Sequence, residues 1–516
     1  MKKLLLSIAL MLLATGSWAQ LRNPVIPGYH PDPSVCRVGD DFYLVNSSFQ
    51  YFPGVPIYHS KDLVNWELIG NVLDRESQLP LKGASSWLGI YAPTIRYHEG
   101  TWYMITTNVG NGGNFMVTAK NPQGPWSEPI WLEQQGIDPS LWFEGGKCYM
   151  VSNPDNTITL CEIDPATGKQ LTPSKPLWQG TGGRYPEGPH IYKKDGWYYL
   201  LISEGGTELA HRLTIARSKN IYGPYEANPN NPILTNCCMA GQSMQIQGTG
   251  HGDFVQAADG SWWMVFLAYR NFGGSYHHLG RETYLAPVEW AKGQWPVVNG
   301  GHPVDTLMQV KTLPQVPVAK KASYYDFTKP FGPEWVYIQN PDSANYKLEK
   351  GLLRLRASRS SLTKNERPTF IGRRQESAKV LVETHLNFSE SAIDDQAGLS
   401  VYQINDGHVD FCLQARKARM CVAVKASLKS IETVLAADEI DGFEAWLRIK
   451  SDGETYAFEY SLDGKNYTPY YKMSCPLVST EVVGGFTGVV IGMYAYQKGS
   501  DGATFADFDY FKYEEQ

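Results

Sequence analysis

Residues 32–48 read DPSVCRVGDDFYLVNSS: an acidic residue, a short apolar strand, a turn with glycine and a second strand. Related stretches begin at Ala92 (APTIRYHEGTWYMITTN), Asp138 (DPSLWFEGGKCYMVSN), Glu187 (EGPHIYKKDGWYYLLISE) and Gly252 (GDFVQAADGSWWMVFLAY). We call the first residue of each copy its head. The residue ten positions after each head is Phe42, Trp102, Cys148, Trp197 or Trp262, and the residue after it is aromatic in every copy. Five hairpins repeated at the spacing of propeller blades predict a five-bladed β-propeller.

The rest of the first part of the chain is also predicted to be β-structure. Residues 22–300 contain almost no helical periodicity, so the elements between the hairpins are also predicted to be strands. A row of separate β-sandwiches is the alternative architecture. It would not explain why the distance from the head to the aromatic strand is constant. We therefore predict an all-β fold.

The heads decide what the predicted propeller can do. In a propeller the first strand of each blade lines the central channel, so the five heads converge around one axis. Three of them are acidic, Asp32, Asp138 and Glu187, and the other two are the small residues Ala92 and Gly252. Crowded carboxylates repel each other and are costly to ionise when buried. Because the heads supply no cationic partner, a functional role is favoured over a structural one.

Three carboxylates in one channel suit acid–base chemistry, and glycoside hydrolysis above all. One carboxylate must be ionised to activate water, and another must stay protonated to protonate the leaving oxygen. A third negative charge nearby would raise the pKa of the acid. A calcium cage is the other use of three acids, but such cages usually draw their ligands from one compact loop.

Several motifs resemble glycoside hydrolase family 43, and most closely its two-domain β-xylosidases and α-L-arabinofuranosidases. These motifs are NPVIPGYHPDPS, YHSKDLVNW, GIYAP, GIDPSLWF, YPEGPHIY, GTGHGDFVQ and LGRETYLAPV. The resemblance covers essentially the whole chain after residue 19. The resemblance implies an inverting hydrolase in which Asp32 is the general base, Asp138 modulates the pKa of the acid and Glu187 is the general acid.

The same resemblance implies further sugar contacts. Phe49 would wall the sugar subsite and Arg281 would reach sugar hydroxyls, whereas blade packing and a surface ion pair are the structural alternatives. His251 would lie near the substrate and, as in some members, near a calcium ion. Tyr91 replaces a tryptophan of well-known β-xylosidases, so ring stacking is kept but the sugar preference can differ.

A second domain follows a stretch rich in Pro, Val and Lys, residues 296–322, which is predicted to be a linker. Alternating strands with SDG and SLDG turns then predict a C-terminal β-sandwich. The predicted domains are residues 20–318 for the propeller and 319–516 for the sandwich. The sandwich alone could be a carbohydrate-binding module, but the resemblance implies that it packs on the propeller and sends Phe486 to the rim of the active site.

The N-terminal residues 1–19, MKKLLLSIALMLLATGSWA, are typical of a secretory signal peptide cleaved before Gln20. Removing Lys2 and Lys3 changes the formal charge from −6 to −8, with no basic patch for nucleic acid or a membrane face. We therefore expect an exported protein, periplasmic or secreted, whose partner is an oligosaccharide or polysaccharide. No cofactor is expected to be required.

The eight cysteines form no CxxC motif, which argues against a zinc or redox site. Cys148 and Cys161 are equidistant from the centre of the turn NPDN, residues 153–156, and are therefore predicted to face each other. Either a disulfide or two free neighbouring thiols would satisfy this pattern, because only some cross-strand positions have disulfide geometry.

Taken together, these features predict an inverting exo-glycosidase that releases β-D-xylose or α-L-arabinofuranose from hemicellulose fragments. Two alternatives remain at this point. A non-catalytic sugar-binding propeller would keep the aromatic residues without needing three acids. A retaining fructan-type hydrolase would need a nucleophile about 5–5.5 Å from its acid.

Overall fold

The computed structural model describes residues 18–237, 245–311, 313, 315–319, 321–417, 419–499 and 502–516. Residues 1–17 of the predicted leader and Cys238 lie outside these ranges. The described chain is almost entirely β-structure, with one α-helical turn, α1 (Thr480–Val483), and short 3-10 helices at Asn299–Gly301, Ser343–Asn345 and Cys475–Val478. None of its helices has the length and apolar character needed to cross a membrane.

After β1 (Trp18–Arg22), strands of the first five sheets follow one another along the chain. Blade 1 spans β2 (Ser34–Val38), β3 (Asp41–Val45), β4 (Tyr51–Phe52), β5 (Gly54–Ser60) and β6 (Glu67–Leu73), of which β4 leaves the blade. Blade 2 contains β7 (Gly89–Ile90), β8 (Thr94–His98), β9 (Thr101–Val109), β10 (Gly113–Ala119) and β11 (Ile130–Trp131). Blade 3 contains β12 (Ile137–Glu144), β13 (Lys147–Asn153), β14 (Ile158–Ile163) and β15 (Lys175–Trp178). Blade 4 contains β16 (Glu187–Lys194), β17 (Trp197–Glu204), β18 (Arg212–Ser218) and β19 (Glu226–Ala227), and blade 5 contains β20 (Ile246–Gln256), β21 (Trp262–Arg270), β22 (Glu282–Glu289) and β23 (Val297–Val298).

The blades close into a ring around one axis. The first full strand of each blade contacts that of the next: β2 meets β8, β8 meets β12, β12 meets β16, β16 meets β20, and β20 returns to β2. Every head residue lies in one of these strands or two positions before it. The five-bladed propeller is therefore confirmed, and the heads share the axial channel as the repeat predicted.

The predicted linker is in part a propeller element. β24 (Leu307–Lys311) pairs antiparallel with β1, and Leu307 lies opposite Arg22. Met308 and Val310 are buried in the same apolar cluster as the inner strands of blades 1, 4 and 5. The linker prediction over residues 296–322 is thus wrong for its first half, because proline and lysine content hid this alternation of buried residues.

The C-terminal part is a sandwich of two eight-stranded antiparallel sheets. Its strands are β25 (Tyr324–Tyr325), β26 (Trp335–Ile338), β27 (Tyr346–Glu349), β28 (Leu352–Arg356), β29 (Thr369–Arg374), β30 (Lys379–Asn387), β31 (Gln396–Ile404), β32 (Gly407–Ala415), β33 (Met420–Leu428), β34 (Ile431–Ile440), β35 (Glu444–Asp452), β36 (Thr455–Ser461), β37 (Thr468–Ser474), β38 (Val490–Tyr496) and β39 (Phe505–Glu515). One sheet has the order β27-β28-β39-β30-β35-β36-β37, with β25 on β39. The other has the order β34-β33-β32-β31-β38-β29-β26-β4. The predicted sandwich is confirmed.

Strand β4 joins the propeller to the sandwich. Tyr51 pairs with Ile338 and Phe52 with Tyr337, so a piece of blade 1 is the edge strand of a sandwich sheet. Beside this junction an apolar cluster mixes buried side chains of both parts, including Tyr29 and Tyr51 with residues of β26, β29, β31 and β38. The two parts therefore share a core rather than touching at their surfaces.

Cys148 and Cys161 are diagonal neighbours on β13 and β14, because Cys148 pairs with Ile163 and Cys161 with Met150. Both thiols are buried and free. The prediction that they face each other is wrong by a shift of two residues, because the hairpin is centred beyond the middle of NPDN. The free-thiol alternative is confirmed.

Candidate active site

The acidic heads occupy backbone conformations that aim them into the channel. Asp32 and Asp138 have positive φ angles of 53° and 54°, a left-handed conformation that Asp tolerates better than most residues. The ladder of blade 3 shifts register between Ile137 and Ser140, a segment that contains Asp138, and that of blade 4 shifts just after Glu187. Such bulges turn side chains away from the strand's regular alternation. The local sequence therefore points all three carboxylates at one place.

That place is a cavity of about 350 Å³ at the end of the channel. All eight side chains predicted for the site line it, and they are Asp32, Phe49, Tyr91, Asp138, Glu187, His251, Arg281 and Phe486. Ala92 also lines the cavity, so one of the two small heads leaves room beside the acids. A cavity of this size fits a small ligand.

Asp32 is held as a carboxylate. Arg281 donates from Nη1 to its Oδ1 at 2.9 Å, and the Ser47 hydroxyl donates to its Oδ2 at 2.5 Å. Burial alone would raise the pKa of Asp32, but the charges of Arg281 and His251 and the Ser47 hydrogen bond outweigh it and lower the pKa. The heads themselves supply no cationic partner, as expected, but Asp32 receives one from Arg281 of blade 5, which is not a head.

Asp138 has the opposite environment. Burial, then the charges of Glu187 and Asp32, raise the pKa of Asp138 well above its ordinary value, and the Gly188 amide at 3.2 Å only partly offsets them. Glu187 is the most accessible acid, with a side-chain exposure of 19% against 5% for Asp138 and 6% for Asp32. The negative charge of the neighbouring Glu187 therefore favours the protonated form of Asp138.

His251 lies between two of the acids, with Nδ1 3.8 Å from Asp32 Oδ1 and 4.0 Å from Asp138 Oδ2. Burial lowers the pKa of His251 despite the attraction of Asp32 and Glu187. A neutral imidazole is thus favoured at this position. It can exchange hydrogen bonds with a ligand without adding a charge.

A largely buried ion pair joins Arg96 to Asp253, which lies two residues after His251 on the same strand. The Arg96 guanidinium donates to Asp253 at 2.9 Å and contacts His190 Nδ1 at 2.9 Å. Burial alone would raise the pKa of Asp253, but Arg96 and His190 bring it down to about 2. This ion pair ties the inner strands of blades 2 and 5 together.

Calcium prefers six to eight oxygen ligands. Within the described ranges, no three His, Cys, Asp or Glu side chains are grouped so that they could hold a metal ion. Asp32 and Asp253 are already bound to arginines. The residues around His251 therefore do not fit a calcium cage built by the protein. Calcium binding there stays a prediction, and no step below depends on it.

Aromatic rings form the wall of the cavity. The ring of Phe486, from the segment before β38 of the sandwich, lies 5.7 Å from Phe49, 6.1 Å from Tyr91 and 4.8 Å from Trp87. The Tyr91 hydroxyl donates to the Trp87 carbonyl at 2.7 Å, and burial raises its pKa to about 12. Tyr91 therefore stays neutral, and its ring is fixed for stacking.

Several residues at the site escaped the sequence analysis. Ser47 holds Asp32, Thr207 accepts a hydrogen bond from Arg281 at 3.0 Å, and His211 lies 3.4 Å from Glu187. Trp87 and Tyr185 line the mouth and are 46% and 55% exposed. Large exposed aromatics two residues before an acidic head, as in YPE, are a signal that could have indicated Tyr185. Nothing in the local sequence indicates His211.

Comparison with known proteins places the chain among glycosidases. Residues 21–296 match Glycosyl hydrolases family 43, and residues 325–514 match the Beta xylosidase C-terminal Concanavalin A-like domain. The non-reducing end alpha-L-arabinofuranosidase BoGH43B of Bacteroides ovatus is 43% identical, over 99% of this chain and 98% of its own length. A xylosidase/arabinosidase of Butyrivibrio fibrisolvens is 40% identical, over 96% of this chain and 99% of its own.

The solved structure of Bacteroides ovatus Xyloglucan PUL GH43B resembles this fold with a TM-score of 0.92 at 42% identity, covering 96% of this chain and all of that one. The matches run through both the propeller and the sandwich, and they include the acidic heads of the repeat. A non-catalytic propeller and a fructan-type enzyme are not favoured by these relatives. The chain belongs to glycosyl hydrolases family 43 and is a glycoside hydrolase.

Proposed function

We propose that this protein removes single α-L-arabinofuranosyl or β-D-xylosyl residues from the non-reducing ends of hemicellulose fragments, with inversion at the anomeric carbon. The observation that carries the proposal is the contrast between the acids of one cavity. Asp32 is stabilised as a carboxylate, whereas burial and the charges of Glu187 and Asp32 raise the pKa of Asp138, which lines the same cavity as Glu187. An inverting glycosidase needs one group of each kind.

In the proposed reaction, Asp32 takes a proton from a water molecule as that water attacks the anomeric carbon. Glu187, the most accessible acid, gives its proton to the glycosidic oxygen as the bond to the leaving group breaks. Asp138 acts through its charge, because it disfavours the ionised form of Glu187. Inversion requires room for the water, so we expect the Asp32 and Glu187 carboxyls to lie about 6.5–9.5 Å apart.

Two neighbouring cavities support the exo-acting part of the proposal. The cavity with the acids is the smaller, and a second cavity of about 580 Å³ shares with it Trp87, Thr207, Glu208, Arg281 and Phe486. The terminal sugar would fill the first cavity between the Phe49, Tyr91 and Phe486 rings. The rest of the substrate would extend into the second. The names of the two curated relatives, an arabinofuranosidase and a xylosidase/arabinosidase, support a terminal pentose.

The test is hydrolysis of nitrophenyl α-L-arabinofuranoside, nitrophenyl β-D-xyloside and arabinoxylan oligosaccharides, with Glu187→Ala as the inactive control. The anomer formed first, read by NMR, decides the stereochemistry. Release of a single pentose with inverted configuration is the expected result. Net retention, or hydrolysis that persists in Glu187→Ala, would contradict the proposal.

We further propose that the protein is exported to the periplasm or beyond, and this rests on the leader-like residues 1–19. Fractionating cells that express the full chain, followed by N-terminal sequencing of the product, tests it. A mature protein that begins at Gln20 in the exported fraction is expected. An intact N-terminus in the cytoplasm would contradict export.

A further inference from the structure

His211 is a buried histidine beside the proposed general acid. It immediately precedes β18, its side chain is fully buried, and its Nε2 lies 3.4 Å from Glu187 Oε1. Its other ring nitrogen, Nδ1, lies 3.1 Å from the carbonyl oxygen of Gly248. The ring therefore bridges a fixed backbone carbonyl of blade 5 and a reacting carboxyl of blade 4.

The Gly248 carbonyl determines which nitrogen carries the hydrogen. A carbonyl oxygen can only accept, so Nδ1 must be the donor and a neutral ring leaves a lone pair on Nε2. This nitrogen is buried and makes no hydrogen bond to any described residue. Leaving such a buried group without a partner is unfavourable. The nearest group that can donate to it is a protonated Glu187.

The space for the ring is built into the fold. A Cβ added to Gly250 would lie 2.1 Å from Cε1 of His211 and 2.2 Å from Nδ1. Gly250 precedes His251 in β20, at a register shift of that strand. Any other residue at position 250 would displace the imidazole from Glu187, so the absence of a side chain there keeps the contact.

We propose that His211 is a positioning residue for Glu187, whose Nε2 accepts the carboxyl O–H and so holds the acid protonated and oriented between turnovers. This inference rests on the proposed function of Glu187. A hydrogen bond made only by the neutral carboxyl favours the neutral form. His211 thereby acts in the same direction as the charge of Asp138, but through geometry rather than repulsion.

The contact does not trap the proton. The terminal torsion of a glutamate side chain is broad and two-fold, so a half-turn exchanges the two carboxyl oxygens. The protonated oxygen then faces the leaving group while the other faces His211. The proton stays on Glu187 until it moves to the glycosidic oxygen, and His211 takes part only through a hydrogen bond, never by accepting the proton.

Other groups also act on this pair, and the test must separate them. The titratable or charged groups that face it are Asp32, Asp138, His251, Arg281, Tyr91 and, at the mouth of the cavity, the Arg184–Glu208 ion pair. All of them remain in a variant changed at position 211. A shift produced by that variant can therefore be attributed to the imidazole.

The experiment compares His211→Asn with His211→Gln in the full-length enzyme. Asn can still donate to the Gly248 carbonyl but lacks an acceptor at the ε position, whereas Gln retains one. We expect the alkaline limb of kcat/KM for a pentose disaccharide to move to lower pH by about one unit in His211→Asn, the effect of one lost hydrogen bond. In His211→Gln the alkaline limb should lie close to its wild-type position. A nitrophenyl pentoside needs little proton donation, so the fall of kcat/KM at alkaline pH should be smaller for this substrate in every variant.

The position of the limb does not depend on how much enzyme folds, so partial misfolding leaves the readout intact. An unchanged limb in His211→Asn, or equal losses at all pH values and for both substrates, would overturn the inference and leave His211 a packing residue. Glu187→Gln tests the proposed function separately. If that variant kept its activity on the disaccharide, the assignment of the acid would fail whatever His211 does.

Discussion

Arg281 Nη1 donates to Asp32 Oδ1 at 2.9 Å, across 249 residues of sequence and between blades 5 and 1. The two side chains are almost fully buried, and their contact keeps a carboxylate ionised where burial would neutralise it. Arg281 also lines the cavity and its Nη2 donates to the Phe486 carbonyl at 3.4 Å. One side chain thus links the proposed base to the domain that closes the site.

Replacing Arg281 by Met should raise the pKa of Asp32. The base must be ionised to act, so the acid limb of kcat/KM should move to higher pH, by about 1–3 units for the loss of an adjacent opposite charge. Arg354→Met is a matched control, because Arg354 pairs with Asp507 on the outer face of the sandwich. An acid limb that stays in place in Arg281→Met would show that Asp32 is ionised for another reason.

Glu187→Gln and Asp32→Asn should differ in how they respond to the leaving group. A sugar alkoxide leaves poorly without a proton, whereas nitrophenolate leaves readily. Loss of Glu187 should therefore reduce disaccharide cleavage far more than cleavage of a nitrophenyl pentoside. Loss of Asp32 should reduce both, on the order of 10²–10⁴-fold. Steady-state kinetics on the two substrates measure this difference. If Asp32→Asn were the variant that kept its activity on the nitrophenyl pentoside, the roles of acid and base would have to be exchanged.

Asp138→Asn should move the alkaline limb of kcat/KM to lower pH. In the proposed mechanism the negative charge of Asp138 disfavours the ionised form of Glu187, so replacing Asp138 by a neutral side chain should let the general acid lose its proton at lower pH. The measurement is the pH profile on a disaccharide at constant ionic strength. A limb that moves to higher pH would mean that Asp138 does not act on Glu187 through its charge.

Phe486→Ala should weaken substrate use without unfolding the protein. Phe486 is half-buried and contacts the rings of Phe49, Tyr91 and Trp87, so its loss widens the cavity. Each aromatic contact is worth about 0.5–1.5 kcal/mol, which predicts a fall in kcat/KM of roughly tenfold. Leu477→Ala, an exposed residue in the 3-10 helix before α1, is the control. Equal kcat/KM for wild type and Phe486→Ala would remove Phe486 from the site.

A chain that ends at residue 318 should be aggregated or inactive. It would expose Tyr29, Tyr51 and their neighbours, which are fully buried against the sandwich, and would leave β4 unpaired. Size-exclusion chromatography and hydrolysis of a nitrophenyl pentoside measure both properties. A soluble, fully active fragment would show that the sandwich contributes nothing to the site.

The repeat was sufficient to predict the propeller and to bring Asp32, Asp138 and Glu187 together, because strand alternation and hairpin spacing are local properties. The environments of these acids were not predictable in that way. Arg281, the partner of Asp32, comes from another blade, and His211 lies 24 residues after Glu187 in the same blade, so no spacing rule connects either pair. A resemblance to known enzymes indicated Arg281 as a sugar ligand but not as the counter-ion of the base.

The two errors in the fold have the same origin. Met308 and Val310 were hidden in a stretch whose composition is typical of linkers, although only their alternation matters for β24. The register of Cys148 and Cys161 depends on how the hairpin turns, and a two-residue shift leaves both side chains on the same face. Residue composition and symmetry about a turn therefore predict strands and their register less reliably than a pattern that is repeated along the chain.

Strand β4, which leaves blade 1 to pair with the sandwich, also affects how the protein folds during synthesis. Tyr51 and Phe52 emerge from the ribosome long before β26, their partner, has been synthesised, so the nascent propeller carries an open strand edge for most of translation. Such an edge is a template for pairing with other chains. Newly made molecules that meet before the C-terminal half is synthesised could therefore pair through this strand, so crowded expression should lower the yield of this protein, although in the finished form β4 is paired with β26.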